Sequence, residues 1–340
     1  MTGSPSKWPL QPLKLIPSTY GLRTLPAPLG ECVVQSEEDM LRKLRKSLIW
    51  YAFVAPTFVL YGLFIAYPTL ETFRLSFFHE VATRQEFVGA LHYVRLLGNQ
   101  VSLAALLNTA FLGIIFLAII IPLSLVMASL LNNLRVWPNL FKTIYFLPQI
   151  TSTVAVALVF SYVLQPNWGL VNGLLRELGV NPLPLWLAEP RYVLTGSRSA
   201  VTILAVWVAL GYYMLIFQAG LQAVPAELYD AAVVDGASPF QTWWLITIPS
   251  LRPTFVFLFL TGTIDAMSRF SDLWMLGGPA GTPARSLQTI VLYMYQTAFE
   301  SNDFNLASAS AVILFVIVLG LTAFNFRSFL QREFSSQSGV

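Results

Sequence analysis

Few residues in this chain could carry covalent chemistry. Histidine, the commonest general acid–base, occurs only as His79 and His92, and both read as surface residues of a polar stretch between apolar segments. Cys32 is the single cysteine, so it has no internal disulfide partner, and no metal-ligand spacing surrounds it. A phosphate-cradling P-loop needs Gly-Lys followed by Ser or Thr. Lys7, Lys14, Lys43, Lys46 and Lys142 each follow a residue other than Gly. Any ATP hydrolysis that serves this protein must therefore come from another polypeptide.

The other polar groups of interest lie inside apolar sequence. Asp265, Arg269 and Asp272 fall within or near the end of one apolar window. A charge in hydrocarbon costs at least about 2.5–3.5 kcal/mol, so these three should face a protein interior, a cavity or one another. Asp265 and Arg269 stand four apart and could pair along a helix face. Two readings remain open: an internal ion pair, or the lining of a polar path. Tyr212, Tyr213 and Gln218 could join such a path as aromatic faces and a hydrogen-bonding amide, but packing between helices explains them equally well.

The most informative segment runs from Val224 to Pro249. Its local signals give two helices around a tight turn. Pro225 suits a first helical position and Glu227 the positive helix start. Gly236 is placed to end the first helix in a left-handed conformation. Ser238, Pro239 and Gln241 make the N-terminal signature of a second helix, with a capping box, and Pro249 and Pro253 should stop it. Leu228, Ala231, Ala232 and Asp235 share one face, whose small side chains would let another backbone come close. That is a helix shaped for docking in a groove. Trp243 and Trp244 read as interfacial anchors.

These pieces need elements to hold them. The chain is 56% hydrophobic and 11% charged, with a mean hydropathy of +0.64, whereas a soluble domain carries about 25% charged residues. Most of its outside must face lipid. The net charge of +3 forms no basic stripe, so nucleic acid is not the partner. Spanning helices need about 20 apolar residues, and six windows qualify: about 48–66, 110–131, 144–164, 200–221, 254–276 and 309–326. The expected fold is all-α with six transmembrane helices. Arg42, Lys43, Arg45 and Lys46 before the first window, Arg135 and Lys142 between the second and third, and Arg327 and Arg332 after the sixth put both termini and residues 222–253 in the cytoplasm. Residues 1–47 form a tail, irregular at first. A short surface helix then follows Ser36, with Asp39 in its first turn and cations at its far end. Residues 48–328 form the membrane domain and residues 329–340 a cytoplasmic tail.

The run Asp230-Ala231-Ala232, three residues, Gly236, nine residues, Ile246, one residue, Ile248-Pro249 resembles the EAA loop of bacterial ABC importer permeases. Asp230 stands where that family usually has Glu, and Ile248 where it often has Leu. Ala55-Pro56, Tyr67-Pro68, Phe87-Val88-Gly89, Tyr93, Asn108-Thr109, Gly277-Gly278-Pro279, Tyr293-Met294-Tyr295 and Ala298-Phe299 extend the likeness to the maltose-type, carbohydrate-uptake branch. The stretch Phe270–Leu276 departs from it, being shorter ahead of Gly277. The resemblance implies a type I permease fold and an EAA loop that docks on a cytoplasmic ATPase. It assigns the coupling contacts to Glu227, Asp230, Ala231, Ala232, Asp235, Gly236, Ala237 and Pro249. Substrate-path candidates are Tyr213, Gln218, Asp265, Arg269 and Asp272. The implied partners are a second homologous permease, a dimeric ABC ATPase that binds ATP-Mg, and an extracytoplasmic binding protein delivering a sugar or polyol. No cofactor is expected in this chain itself. The setting would be the bacterial inner membrane. A rival class, an ion-gradient-driven transporter or channel, predicts inverted repeats and acids spread over several spans, and acids occur here in one.

Overall fold

The structure is a computed structural model that describes residues 50–81, 84–132, 134, 136–190 and 196–337. The expected surface helix after Ser36, Cys32 and the Arg42–Lys46 cluster lie outside the described residues, as does Arg135. The chain divides into two compact units, Met1–Ala66 and Tyr67–Val340. The described part of the first, residues 50–66, is helical and buries none of its side chains. It belongs to helix α1 (Trp50–Leu75), which is long and apolar enough to cross a membrane.

In the second unit a two-stranded antiparallel hairpin, β1 (Phe78–Val81) and β2 (Arg84–Phe87), precedes α2 (Leu91–Gly98). Two continuous apolar helices follow as α3 (Gln100–Asn132) and α7 (Ser197–Gln222). Between them lie α4 (Pro138–Ile150), α5 (Thr153–Val163) and the short α6 (Leu170–Glu177). After α7 come α8 (Ala226–Val234), α9 (Pro239–Ser250), α10 (Arg252–Met267), α11 (Ser271–Gly277) and α12 (Ile290–Tyr295). The chain closes with α13 (Phe304–Gln337), so the sixth span and the tail expected after residue 328 form one helix.

Among the described residues four helices are long and apolar enough to span, and six spans result if each of two bent pairs counts as one. The third window is not one helix: α4 and α5 meet at 96°. Pro148 removes a backbone donor, and Thr151 turns its hydroxyl back onto the Leu147 carbonyl (2.9 Å), so the ladder ends and restarts at Thr153. The fifth window also breaks, between Met267 and Ser271.

The main core joins α3, α7 and α10 through Phe116, Ile120, Met214, Phe217 and Leu258, all buried. Membrane helices pack closely where side chains are small. One such contact is at Gly262, where an added Cβ would strike the Tyr213 hydroxyl and lie 2.7 Å from Leu117. His92 proves to be fully buried rather than on the surface. Its Nε2 donates to the Phe78 carbonyl (3.0 Å), which also accepts from Asn305 of α13 (2.6 Å). The His79 ring lies beside it, tilted, at 5.4 Å between centroids.

Candidate functional site

The loop between α7 and α10 forms the two helices its sequence signals. Helix α8 ends in a Schellman motif. The Ala237 N–H donates to the Ala232 carbonyl (2.9 Å) and the Gly236 N–H to the Val233 carbonyl (3.1 Å), with Gly236 at φ +71°. The expected capping box is present: Ser238 N–H donates to Gln241 Oε1 (2.8 Å), and Gln241 N–H to Ser238 Oγ (3.3 Å). Pro225 precedes the first helical residue as its N-cap rather than opening the helix. Pro249 does not stop α9. A π-helical turn over Trp243–Thr247 accommodates its missing donor, and the chain bends only at Leu251.

The faces of α8 differ from the expected ones in one respect. Ala232 is 5% exposed and points into the protein, while Ala231 is exposed. The outward face is Glu227, Asp230, Ala231 and Val234, spaced three and four apart, with Val234 86% exposed at its end. Asp235, Gly236 and Leu228 are exposed beside it, and Ala237 and Pro249 are half-buried. Two ties hold the loop. Tyr229 Oη lies 3.3 Å from Thr247 Oγ1, joining α8 to α9, and Trp243 Nε1 donates to Ser129 Oγ of α3 (3.1 Å). Trp243 is therefore packed against the core, while Trp244 and Phe240 stand exposed. This arrangement can present an anionic, apolar-tipped helix to a groove on another protein.

The path candidates do not gather in one place. Arg269 pairs with Asp272, not with Asp265, and also donates to the Val201 carbonyl (3.1 Å). The reason is the break after Met267: Asp265 and Arg269 belong to no common helix, while Arg269 and the first turn of α11 meet. Asp272 is buried beside it. Asp265 is exposed on α10, with no side-chain partner among the described hydrogen bonds and ion pairs. Tyr213 is 1% and Gln218 3% exposed, both among the packed helices, and the Tyr213 hydroxyl is buried without a hydrogen-bond partner.

A polar clamp escaped the sequence reading, which had singled out Asn108 and Thr109 only by resemblance. Asn108 Nδ2 donates to the carbonyls of Arg285 (2.9 Å) and Gln288 (3.1 Å), and its Oδ1 accepts from Arg198 (2.8 Å). Ser197 and Ser286 hydroxyls lie 2.8 Å apart, and Thr109 accepts from the Ile290 N–H (2.9 Å). The Arg198 guanidinium also stacks on Phe111 at 4.8 Å. Together these fasten the 278–289 segment to α3 and the start of α7. Arg198 lies at the edge of an apolar window, and that was the one signal the sequence offered.

Fold and loop together define a class: a multi-span helical membrane protein with an exposed helix–turn–helix loop between two spans. Residues 120–336 match the family described as binding-protein-dependent transport system inner membrane component. The lactose transport system permease protein LacF of Rhizobium radiobacter is 31% identical over 281 residues, 82% of this chain and 92% of LacF. The trehalose/maltose transport system permease protein MalF of Thermococcus litoralis is 30% identical, covering 82% of this chain and 93% of that protein. A bacterial ABC transporter involved in import of the acidic polysaccharide alginate superposes with a TM-score of 0.76 at 22% identity, over 86% of this chain and 99% of that one. The chain belongs to the family of binding-protein-dependent transport system inner membrane components, a membrane permease subunit rather than an enzyme. Membership decides against the ion-gradient-driven alternative.

Proposed function

We propose that this chain is the membrane-spanning subunit of an ATP-driven importer for a sugar or sugar-like solute. The observation that carries the coupling half is α8: a capped, exposed helix whose outward face is Glu227, Asp230, Ala231 and Val234. The substrate class is supported by the relatives that transport lactose and trehalose/maltose. A second permease completes the path, a binding protein delivers the solute, and a dimeric ATPase holding ATP-Mg docks on α8. Closing of the ATPase pair carries α8 with it and switches the path from inward to outward access. Asp265 faces that path. It is exposed on an otherwise apolar span, and a carboxylate facing lipid would be costly, so its surroundings are a cavity shared with the second permease. Lys142 and Arg327 at span ends support cytoplasmic termini and a cytoplasmic α8–α9 loop.

The test is co-purification with the candidate ATPase and hydrolysis stimulated by the loaded binding protein in reconstituted membranes. Asp230→Lys and Val234→Asp should leave the membrane-inserted chain intact and lower both. Unchanged recruitment and stimulation in the pair would sink the coupling assignment. For topology, a cysteine at position 240 in a Cys32→Ser background should escape an impermeant reagent added to intact cells, while one at 284 should react.

A further inference from the structure

Helix α6 buries a polar side chain and half-buries Val171 and Leu175, while a stripe of leucines stands exposed. Its inward residue is Asn172, 1% exposed, whose Nδ2 donates to the carbonyls of Pro166 (2.9 Å) and Pro184 (2.8 Å) and whose Oδ1 accepts from Trp186 Nε1 (2.8 Å). Its outward stripe is Leu170, Leu174 and Leu178, four residues apart and 65%, 54% and 79% exposed, with Trp168 63% exposed just before it. A helix bathed in water places these groups the other way round. The polar node holds the helix in place, so the leucines face outward by construction and not through fraying.

The neighbourhood says what covers them. Helix α5 ends at Val163, and its own exposed stripe of Leu158, Val159 and Tyr162 is the outer surface of an apolar span. The linker is a compact turn, with Leu164 N–H donating to the Phe160 carbonyl (2.9 Å) and Gly169 N–H to the Gln165 carbonyl (2.8 Å). Helix α6 therefore begins at the end of the span. Tyr162 and Trp168 meet there with tilted rings 5.7 Å apart, the aromatic pair expected where membrane meets water. Gly173 and Glu177 are exposed on a third side of the helix, which leaves a polar edge for the aqueous phase. A binding protein that docks and departs would leave three leucines and a tryptophan in water between visits, which exposed patches on proteins avoid.

We propose that α6 is an interfacial anchor: it lies in the headgroup–acyl boundary of the bilayer, with Leu170, Leu174 and Leu178 in lipid and Gly173 and Glu177 toward water. The partner is the lipid surface itself. The anchor fixes the depth of the 164–190 segment at the end of the membrane opposite the α8–α9 loop. A groove of about 540 Å³ lies beside it, between Tyr162, Trp168, Leu185 and Leu187, with Ser161 and Gln165 in its wall.

The test uses the full chain assembled with its ATPase in nanodiscs of phosphatidylethanolamine and phosphatidylglycerol, without binding protein. Nitroxide labels go on single cysteines at 170, 174, 178, 173 and 177 in a Cys32→Ser background. Collisions with oxygen should exceed those with a water-soluble nickel chelate at 170, 174 and 178, and the order should reverse at 173 and 177. Nickel-dominated collisions at the three leucine positions would overturn the proposal, more so if they vanish when the binding protein is added. Low collision with both probes would place the stripe under another protein and overturn it equally. Quenching by brominated lipid, taken as the difference between wild type and Trp168→Phe, gives the same reading without cysteines. The expected result is a quenched Trp168 component, and its absence counts against lipid contact.

Discussion

Gly236→Val separates what the turn does for the loop from what the loop does for its partner. Gly236 adopts φ +71°, and no heavy atom lies within 4 Å of where a Cβ would stand. The substitution therefore meets no clash inside this chain, and its whole intrinsic cost is the left-handed backbone, about 1–2 kcal/mol. That lowers the ratio of turned to open loop by a factor of about 5–30, without touching the spans. The unpartnered chain should insert normally and unfold in detergent as wild type does. Recruitment of the ATPase, measured by co-purification and by hydrolysis stimulated with loaded binding protein, should fall by up to that factor. A larger fall would mean the new side chain also obstructs the docked surface. Gly236→Asn distinguishes the two, since asparagine tolerates the left-handed region. It should recover most of the activity if backbone strain is the cause and none if the surface needs the bare glycine. Wild-type recruitment and stimulation in Gly236→Val would refute the reasoning and remove the loop as the coupling element.

Three further outcomes follow from the geometry. Asp272→Asn leaves Arg269 partly buried with its charge unanswered and should destabilise the protein by about 3–5 kcal/mol. Asp272→Leu/Arg269→Met should recover most of that in a detergent melting curve, and a double variant no better than the single would rule the pairing out. Asn108→Ala strips partners from Arg198 and from two carbonyls. It should cost at least about 1–3 kcal/mol and speed proteolysis between Thr282 and Arg285, and unchanged cleavage would mean the clamp does not hold that segment. Asp265→Asn should lower transport while sparing assembly with the ATPase and thermal stability. Full transport in that variant would remove Asp265 from the path.

How much could be read in advance differs by the kind of signal. The turn at Gly236 and the box at Ser238 and Gln241 are local, set by residues within a few positions of one another, and both were legible. So were the apolar windows, because the lipid requirement acts on every residue of a span. What depends on where a helix stops was not. Asp265 and Arg269 have perfect spacing for an ion pair, yet the ladder ends at Met267 and the arginine turns to Asp272. Pro148 was visible inside the third window, but a proline bends a helix by an amount its neighbours decide, and here the angle is 96°. His92 and the Asn108–Arg198 clamp are long-range, and nothing near them in the chain announces the carbonyls they reach.

The α8 face shows what is gained when the two kinds of information are joined. Sequence spacing put Ala231 and Ala232 on one docking surface, and the fold splits them. Ala232 is on the inner side, its carbonyl closing the Schellman turn and its methyl against the protein, and Ala231 lies outward between Asp230 and Val234. The inner side is tied on through Tyr229 to Thr247 in α9, and α9 in turn through Trp243 to Ser129 in α3, before the chain enters α10. On the proposed reading, a displacement of α8 by its partner then has short physical links to two helices of the main core, α3 and α10. A flexible loop would absorb the same displacement. On that reading the small residue on the inside keeps α8 close to the protein, the small residue on the outside would keep the partner close, and these are separate demands. Substituting Ala232 should therefore disturb the loop before any partner arrives, whereas substituting Ala231 should be silent until one does.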